Sequence, residues 1–150
     1  MRRLRIEAQH GPPYLDNLLK KAEPQIKTIN RLTLKYIHQI TPAQNKALDK
    51  LWTIFEKLPV DGVASCVGIT KAVMLLTDGR IGPALDSQVR LNLGVAKPTN
   101  AEEWIDLLKE IGEDIIAFEK NNRKLLRDVV PKRFAHLEYG RLYDMVLGPR

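Results

Sequence analysis

Apolar residues recur along most of the chain with the three- and four-residue spacing that lays a stripe down one side of a helix. Leu15, Leu18, Leu19 and Ala22 form the first such stripe, and Ile29, Leu32, Tyr36, Ile37 and Ile40 resume it beyond Pro24. The pattern predicts two helices parted by the proline, because a proline inside a helix removes one backbone donor and crowds the preceding turn. Thr41-Pro42 reads as an N-cap followed by proline at the first helical position, and Leu48, Leu51, Trp52 and Phe55 then share a face up to Pro59. Asn100 with Glu103 three residues on has the spacing of a capping box and opens a long amphipathic helix through Trp104, Leu107, Leu108, Ile111 and Ile115. A shorter helix is expected from Arg141 to Leu147. No run alternates apolar and polar residues between hairpin turns, so the expected class is all-α, in one domain spanning residues 1–150, with Trp52, Phe55 and Trp104 in its core. Gly79, Gly82, Gly94, Pro98 and Pro131 punctuate the helices, and no internal repeat or low-complexity segment interrupts them.

Composition narrows the class further. Within 150 residues, 44% are hydrophobic and 28% charged, the balance of one globular core. A single cysteine, Cys66, rules out an internal disulfide framework and a four-thiolate metal site. The basic start Met1-Arg2-Arg3-Leu4-Arg5 is followed by Ile6-Glu7-Ala8-Gln9-His10 where a signal peptide needs an apolar run, and no stretch approaches a membrane span. A cytoplasmic protein with no membrane partner is therefore expected. The net charge is +6, and all of the surplus lies in residues 1–50, which hold ten Lys and Arg against four Asp and Glu. Such a surplus suits a polyanion.

Several chemistries lack their signatures. There is no G-x-x-x-x-G-K-[ST] loop, and Gly62, Gly68, Gly79 and Gly82 do not make a G-x-G-x-x-G. His10, His38 and His136 are scattered and none belongs to H-E-x-x-H; His136 with Glu138 is a spacing that arises often by chance. No metal and no cofactor is expected.

Residues 58–93 combine features that chemistry can use. Leu58-Pro59 closes one helix, a Gly-Val step turns the chain, and a strongly apolar helix follows through Val73-Met74-Leu75-Leu76. A second loop then carries Pro83-Ala84-Leu85-Asp86-Ser87-Gln88-Val89-Arg90. A turn of this kind exposes backbone amides at a helix N-terminus, where they and the helix dipole favour a phosphate. Asp86 stands where the chain enters another helix and has the residue type of an N-cap.

This arrangement, over about 35 residues within a segment of roughly 48–93, resembles the helix-hairpin-helix DNA glycosylase superfamily. Its members share a hairpin of the form L-P-G-V-G-x-x-x-A, an apolar helix, and an aspartate in the setting [VP]-D-[ST]-x-[VI]; Leu85-Asp86-Ser87-Gln88-Val89 follows the last of these. The resemblance implies a DNA-binding base-excision glycosylase, acting in DNA repair, or a non-catalytic relative that kept the fold; a helical protein-interaction domain is the reading without it. It also implies that Asp86 stabilises charge developing at the sugar and that a lysine, where present, attacks the sugar carbon. The lysine candidate is Lys71. Two registers remain open, and a third possibility is a local shift that brings Lys71 into the lysine position with a lysine-to-aspartate spacing somewhat shorter than the family's. With the turn at Val67-Gly68, Thr70 takes the lysine position and Lys71 stands one residue, about 100° of helix rotation, beyond it. With the turn at Gly62-Val63, Gly68 becomes the small helical residue and Cys66 takes that position. The expected DNA contacts are Gly62, Val63, Gly68, Thr70, Ser87 and Arg90. Tyr14, Tyr139 and Tyr143 are the candidates for stacking on a base.

Overall fold

A computed structural model describes residues 15–58 and 64–148. Among the described residues seven α-helices follow one another: α1 (Leu15–Thr28), α2 (Pro42–Phe55), α3 (Cys66–Leu76), α4 (Ser87–Leu93), α5 (Ala101–Asn122), α6 (Leu126–Val129) and α7 (Tyr139–Leu147). Short 3-10 turns cover Leu34–Gln39 and Lys132–Phe134, and no strand occurs among the described residues. The all-α expectation holds.

Helix α5 is the spine. It carries Trp104, Leu108, Ile111 and Ile115 on its buried face, and the Leu34–Gln39 turn and α2 pack against it. α1 lies on α2, α2 touches α3, and α4 packs on α7. The two tryptophans meet in the middle, with ring centroids 5.6 Å apart and planes tilted by 37°. Both are buried, and the Trp52 indole N–H donates to Glu56 at 2.8 Å. Gly112 lets the Leu34–Gln39 turn approach this closely, since a Cβ there would stand 2.5 Å from the Leu34 carbonyl oxygen.

The caps form as their residues predict. The Thr41 hydroxyl accepts from the Gln44 N–H while the Gln44 side chain accepts from the Thr41 N–H, a reciprocal box ahead of Pro42. The Asn100 side chain accepts from Glu103 N–H at 2.9 Å, but the Glu103 carboxylate reaches back one residue further, to Thr99 N–H and hydroxyl.

The N-terminal half departs from the expected pair of helices. Pro24 lies inside α1, on its exposed side, while Leu18 and Ala22 bury the opposite face. The packing of that face carries the helix across the single lost donor. Beyond Thr28 no second α-helix forms. The Arg80 guanidinium donates to the carbonyls of Ile29 at 2.7 Å and Leu32 at 2.8 Å, and Leu34 N–H donates to the Arg80 carbonyl at 3.1 Å. The Ile29 carbonyl also accepts from Leu32 N–H at 3.0 Å, so the segment makes a single local turn that is tied to a residue some fifty positions away instead of continuing as a helix.

Candidate nucleic-acid interface

Residues 77–86 join α3 to α4 and are fixed from three sides. Thr77 turns its hydroxyl to the Val73 carbonyl at 2.8 Å and accepts from Ile81 N–H. Arg141 N–H donates to the Gly79 carbonyl at 3.0 Å, and the Ala84 N–H donates to Asp144 at 3.2 Å, so the first turns of α7 hold the loop's outer side. Gly140 makes this contact possible: a Cβ there would stand 2.6 Å from both the Gly79 oxygen and the Gly82 nitrogen. The Gly82-Pro83 peptide is cis.

From the inner side, Thr70 closes the loop onto α3. Its hydroxyl donates to the Cys66 carbonyl at 2.7 Å and accepts from Leu85 N–H at 2.9 Å, and the residue is 1% exposed. Thr70 therefore faces the core, which corrects its expected place among the DNA contacts. The Leu85 carbonyl in turn accepts from Arg90 Nε at 3.2 Å and lies 3.7 Å from the Cys66 sulfur.

Asp86 is the N-cap of α4. Its carboxylate accepts from Val89 N–H at 2.8 Å, which satisfies one of the unpaired amides of the first turn. Lys71 is exposed on α3, and its charge, with Arg141, favours the ionised Asp144. Burial is the largest influence on Asp144 and, together with the nearby negative charge of Asp86, leaves its carboxyl above the ordinary range despite those cations and the Ala84 N–H. Asp86, Asp144 and Lys71 thus share one electrostatic neighbourhood.

Of the two hairpin registers, the one with its turn at Val67-Gly68 does not form: both residues lie within the opening turns of α3, which starts at Cys66. Gly68 is a half-buried helical residue, with Leu58 Cδ1 3.7 Å from the position a Cβ would take. Gly62 and Val63, the turn of the other register, lie outside the described residues, as does Tyr14. Ser87 is exposed and Arg90 half-exposed at the start of α4. Ser65, the N-cap of α3, is exposed and its hydroxyl caps none of the first-turn amides. Burial pushes the Cys66 thiol up, against the charges of Arg90 and of Lys97, a residue that the motif does not include. Arg90 and Lys97 therefore both act on the charge of Cys66, in the opening turn of α3.

A second polar cluster lies at the far end of α5. Buried Glu119 accepts from the Tyr139 hydroxyl at 2.7 Å, from Leu126 N–H at 2.9 Å and from the Lys35 ammonium. Burial works against the Glu119 charge, but the three donors together hold its carboxyl below the ordinary range; the same contact holds Lys35 above the usual lysine range. Tyr139 is consequently a buried structural residue, not a free stacking surface, and its phenol is pushed up by burial and by Glu119.

The charge is distributed more finely than blocks of fifty residues reveal. Residues 101–119 hold seven acids and one base, while residues 120–133 hold six bases and one acid. Lys120, Arg123, Lys124, Arg127, Lys132 and Arg133 are all exposed, and among the described residues none has a carboxylate within 4 Å of its charged nitrogens. A running charge count over a dozen residues finds this segment from sequence alone.

Among the described residues no group of three His, Cys, Asp or Glu side chains converges to hold a metal, and no helix is long and apolar enough to cross a membrane. No family model, curated protein or solved structure matches the chain.

Proposed function

We propose that this protein is a DNA-binding module of helix-hairpin-helix type, in which the starts of α3 and α4 meet the phosphate backbone and Asp86 serves the fold. The observation that carries this reading is the Leu85 carbonyl, which ties Arg90 at 3.2 Å and lies 3.7 Å from Cys66 in the opening turn of α3. A fixed guanidinium beside a helix start, with the charge of Lys97 felt at the same thiol, supplies the charge and the amide donors that phosphates favour. Asp86 has its carboxylate engaged with Val89 N–H, the role of a cap.

The test is the salt dependence of binding to a short labelled duplex. Binding should weaken steeply with salt, and Arg90→Gln with Lys97→Gln should lower the log–log slope by about 2, near 0.9 for each phosphate that is no longer neutralised. Undiminished binding in the double variant, or no binding at low salt, overturns the reading.

A base-excision glycosylase is the second reading, favoured by the grouping of Asp86, Asp144 and Lys71. It requires Asp86→Asn to abolish release of a damaged or mismatched base without loss of DNA affinity. Absence of base release by the wild-type protein across such a panel removes it. Borohydride trapping on abasic DNA, lost in Lys71→Ala, would add lyase chemistry; none is expected, because Lys71 is an exposed helical lysine.

A further inference from the structure

An apolar cleft of roughly 170 Å³ opens between α5, α6 and α7, lined by Ile115, Phe118, Leu126, Tyr143, Val146 and Leu147. Two of its six walls are aromatic, and Val146 is 55% exposed at its rim. The cleft does not stand alone. Leu126 lies between Lys124 and Arg127, and Phe118 stands two residues before Lys120, so one wall falls within the stretch of six exposed cations at residues 120–133 and another just before it, while Tyr143, Val146 and Leu147 come from α7. Leu125 and Val129, at the two ends of the same short segment, are also exposed.

We infer that this cleft receives an unpaired base of a single-stranded nucleic acid, stacked on Phe118 and Tyr143, while the cations of residues 120–133 hold the flanking phosphates. The inference rests on the nucleic-acid reading above but uses a different face of the molecule. Charge complementarity selects the occupant. Six cations with one acid among them call for a polyanion, and aromatic walls suit the faces of bases, which all four nucleotides present regardless of sequence. A cleft with few polar groups fits stacking without base-edge hydrogen bonds, so the binding should be indifferent to sequence. Tyr143 contributes its ring.

The experiment is a titration of the full chain with a single-stranded oligonucleotide carrying a fluorescent adenine analogue, whose emission is quenched on stacking. Quenching is expected. Phe118→Leu and Tyr143→Leu should each weaken single-strand binding between about fivefold and about a hundredfold, the span for one stacked base, whereas Tyr143→Phe keeps the ring and should keep the affinity. Arg123→Glu with Lys124→Glu should weaken it further at low salt. Duplex binding through Arg90 and Lys97 should be unchanged in the aromatic variants, which also reports that they are folded. Single-strand binding that ignores Phe118 and Tyr143, or no single-strand binding beside intact duplex binding, overturns the inference and leaves the duplex reading standing. Loss of both kinds of binding in the wild-type protein overturns both. Vesicles of phosphatidylserine and phosphatidylcholine give the remaining arm: capture of the protein by them, abolished by Phe118→Leu, would assign the cleft to lipid and overturn the inference.

Discussion

Thr70 and Asp86 each hold a backbone amide that would otherwise go unpaired, and this decides how their substitutions behave. Thr70→Val keeps the shape but leaves the buried Leu85 N–H without its acceptor, which should cost about 1–3 kcal/mol in denaturant unfolding. A change of only a few tenths would mean that water or another carbonyl takes over the amide. Asp86→Ala removes the α4 cap and should cost about 1 kcal/mol, whereas Asp86→Asn, an equally good cap, should leave stability within a few tenths of the wild-type value. That contrast separates the cap from any charge-dependent role. At this scale the sequence spoke for Asp86, whose capping position is local, but not for Thr70. A threonine in a helix carries no mark that its hydroxyl will bridge to a residue fifteen positions on.

Among the elements, the join between the 77–86 loop and α7 depends on two backbones meeting where no side chain fits. Gly140→Ala would push a methyl group onto the Gly79 oxygen and Gly82 nitrogen, and should destabilise by roughly 1–3 kcal/mol, read by thermal unfolding. At the other end of α5, Glu119→Gln should cost about 3 kcal/mol, because it leaves the mostly buried Lys35 ammonium without its counter-charge. The pH dependence follows from the directions of the two shifts. Glu119 titrates lower in the folded protein than in the unfolded chain, so its stabilisation is present above the ordinary carboxylate range and is lost as pH falls through the folded value. Lys35 titrates higher when folded, so its share is present below the ordinary lysine value and is lost as pH rises through the folded one. Acid unfolding should therefore move in Glu119→Gln, and an unmoved acid limb would show that the cluster is energetically silent. The helices with periodic stripes and local caps, α2 and α5, were legible in the sequence. The stretch after Thr28 was not, because Arg80 captures its carbonyls and periodicity cannot register a partner so distant.

For the whole molecule, burial is the strongest of the sequence's messages. Trp52 and Trp104 stand on different helices and meet, so Trp104→Ala should cost about 3–5 kcal/mol and shift the unfolding midpoint accordingly. The candidate interface was only partly legible. A motif can be found in a linear pattern, whereas the meeting of Arg90 and the start of α3 at the Leu85 carbonyl depends on how the 77–86 loop is folded back. The basic stretch beyond α5 was hidden for a simpler reason, since the acids of the same helix cancel it in any count over fifty residues.

That cancellation has a consequence in solution. α5 is about 33 Å long, with six exposed acids on its first two-thirds and the exposed cations beginning at its last turn. α5 and the segment after it are thus electrically lopsided, and a polyanion approaching them would feel a torque as well as an attraction: the start of α5 would be turned away, the more so at low ionic strength. Two copies feel the same forces toward one another, acidic end to basic end, in a head-to-tail sense that does not close on itself. Dilute salt should favour such loose chains, and an added oligonucleotide that occupies the cationic end should dissolve them, so turbidity at low salt would report on the six exposed cations of residues 120–133.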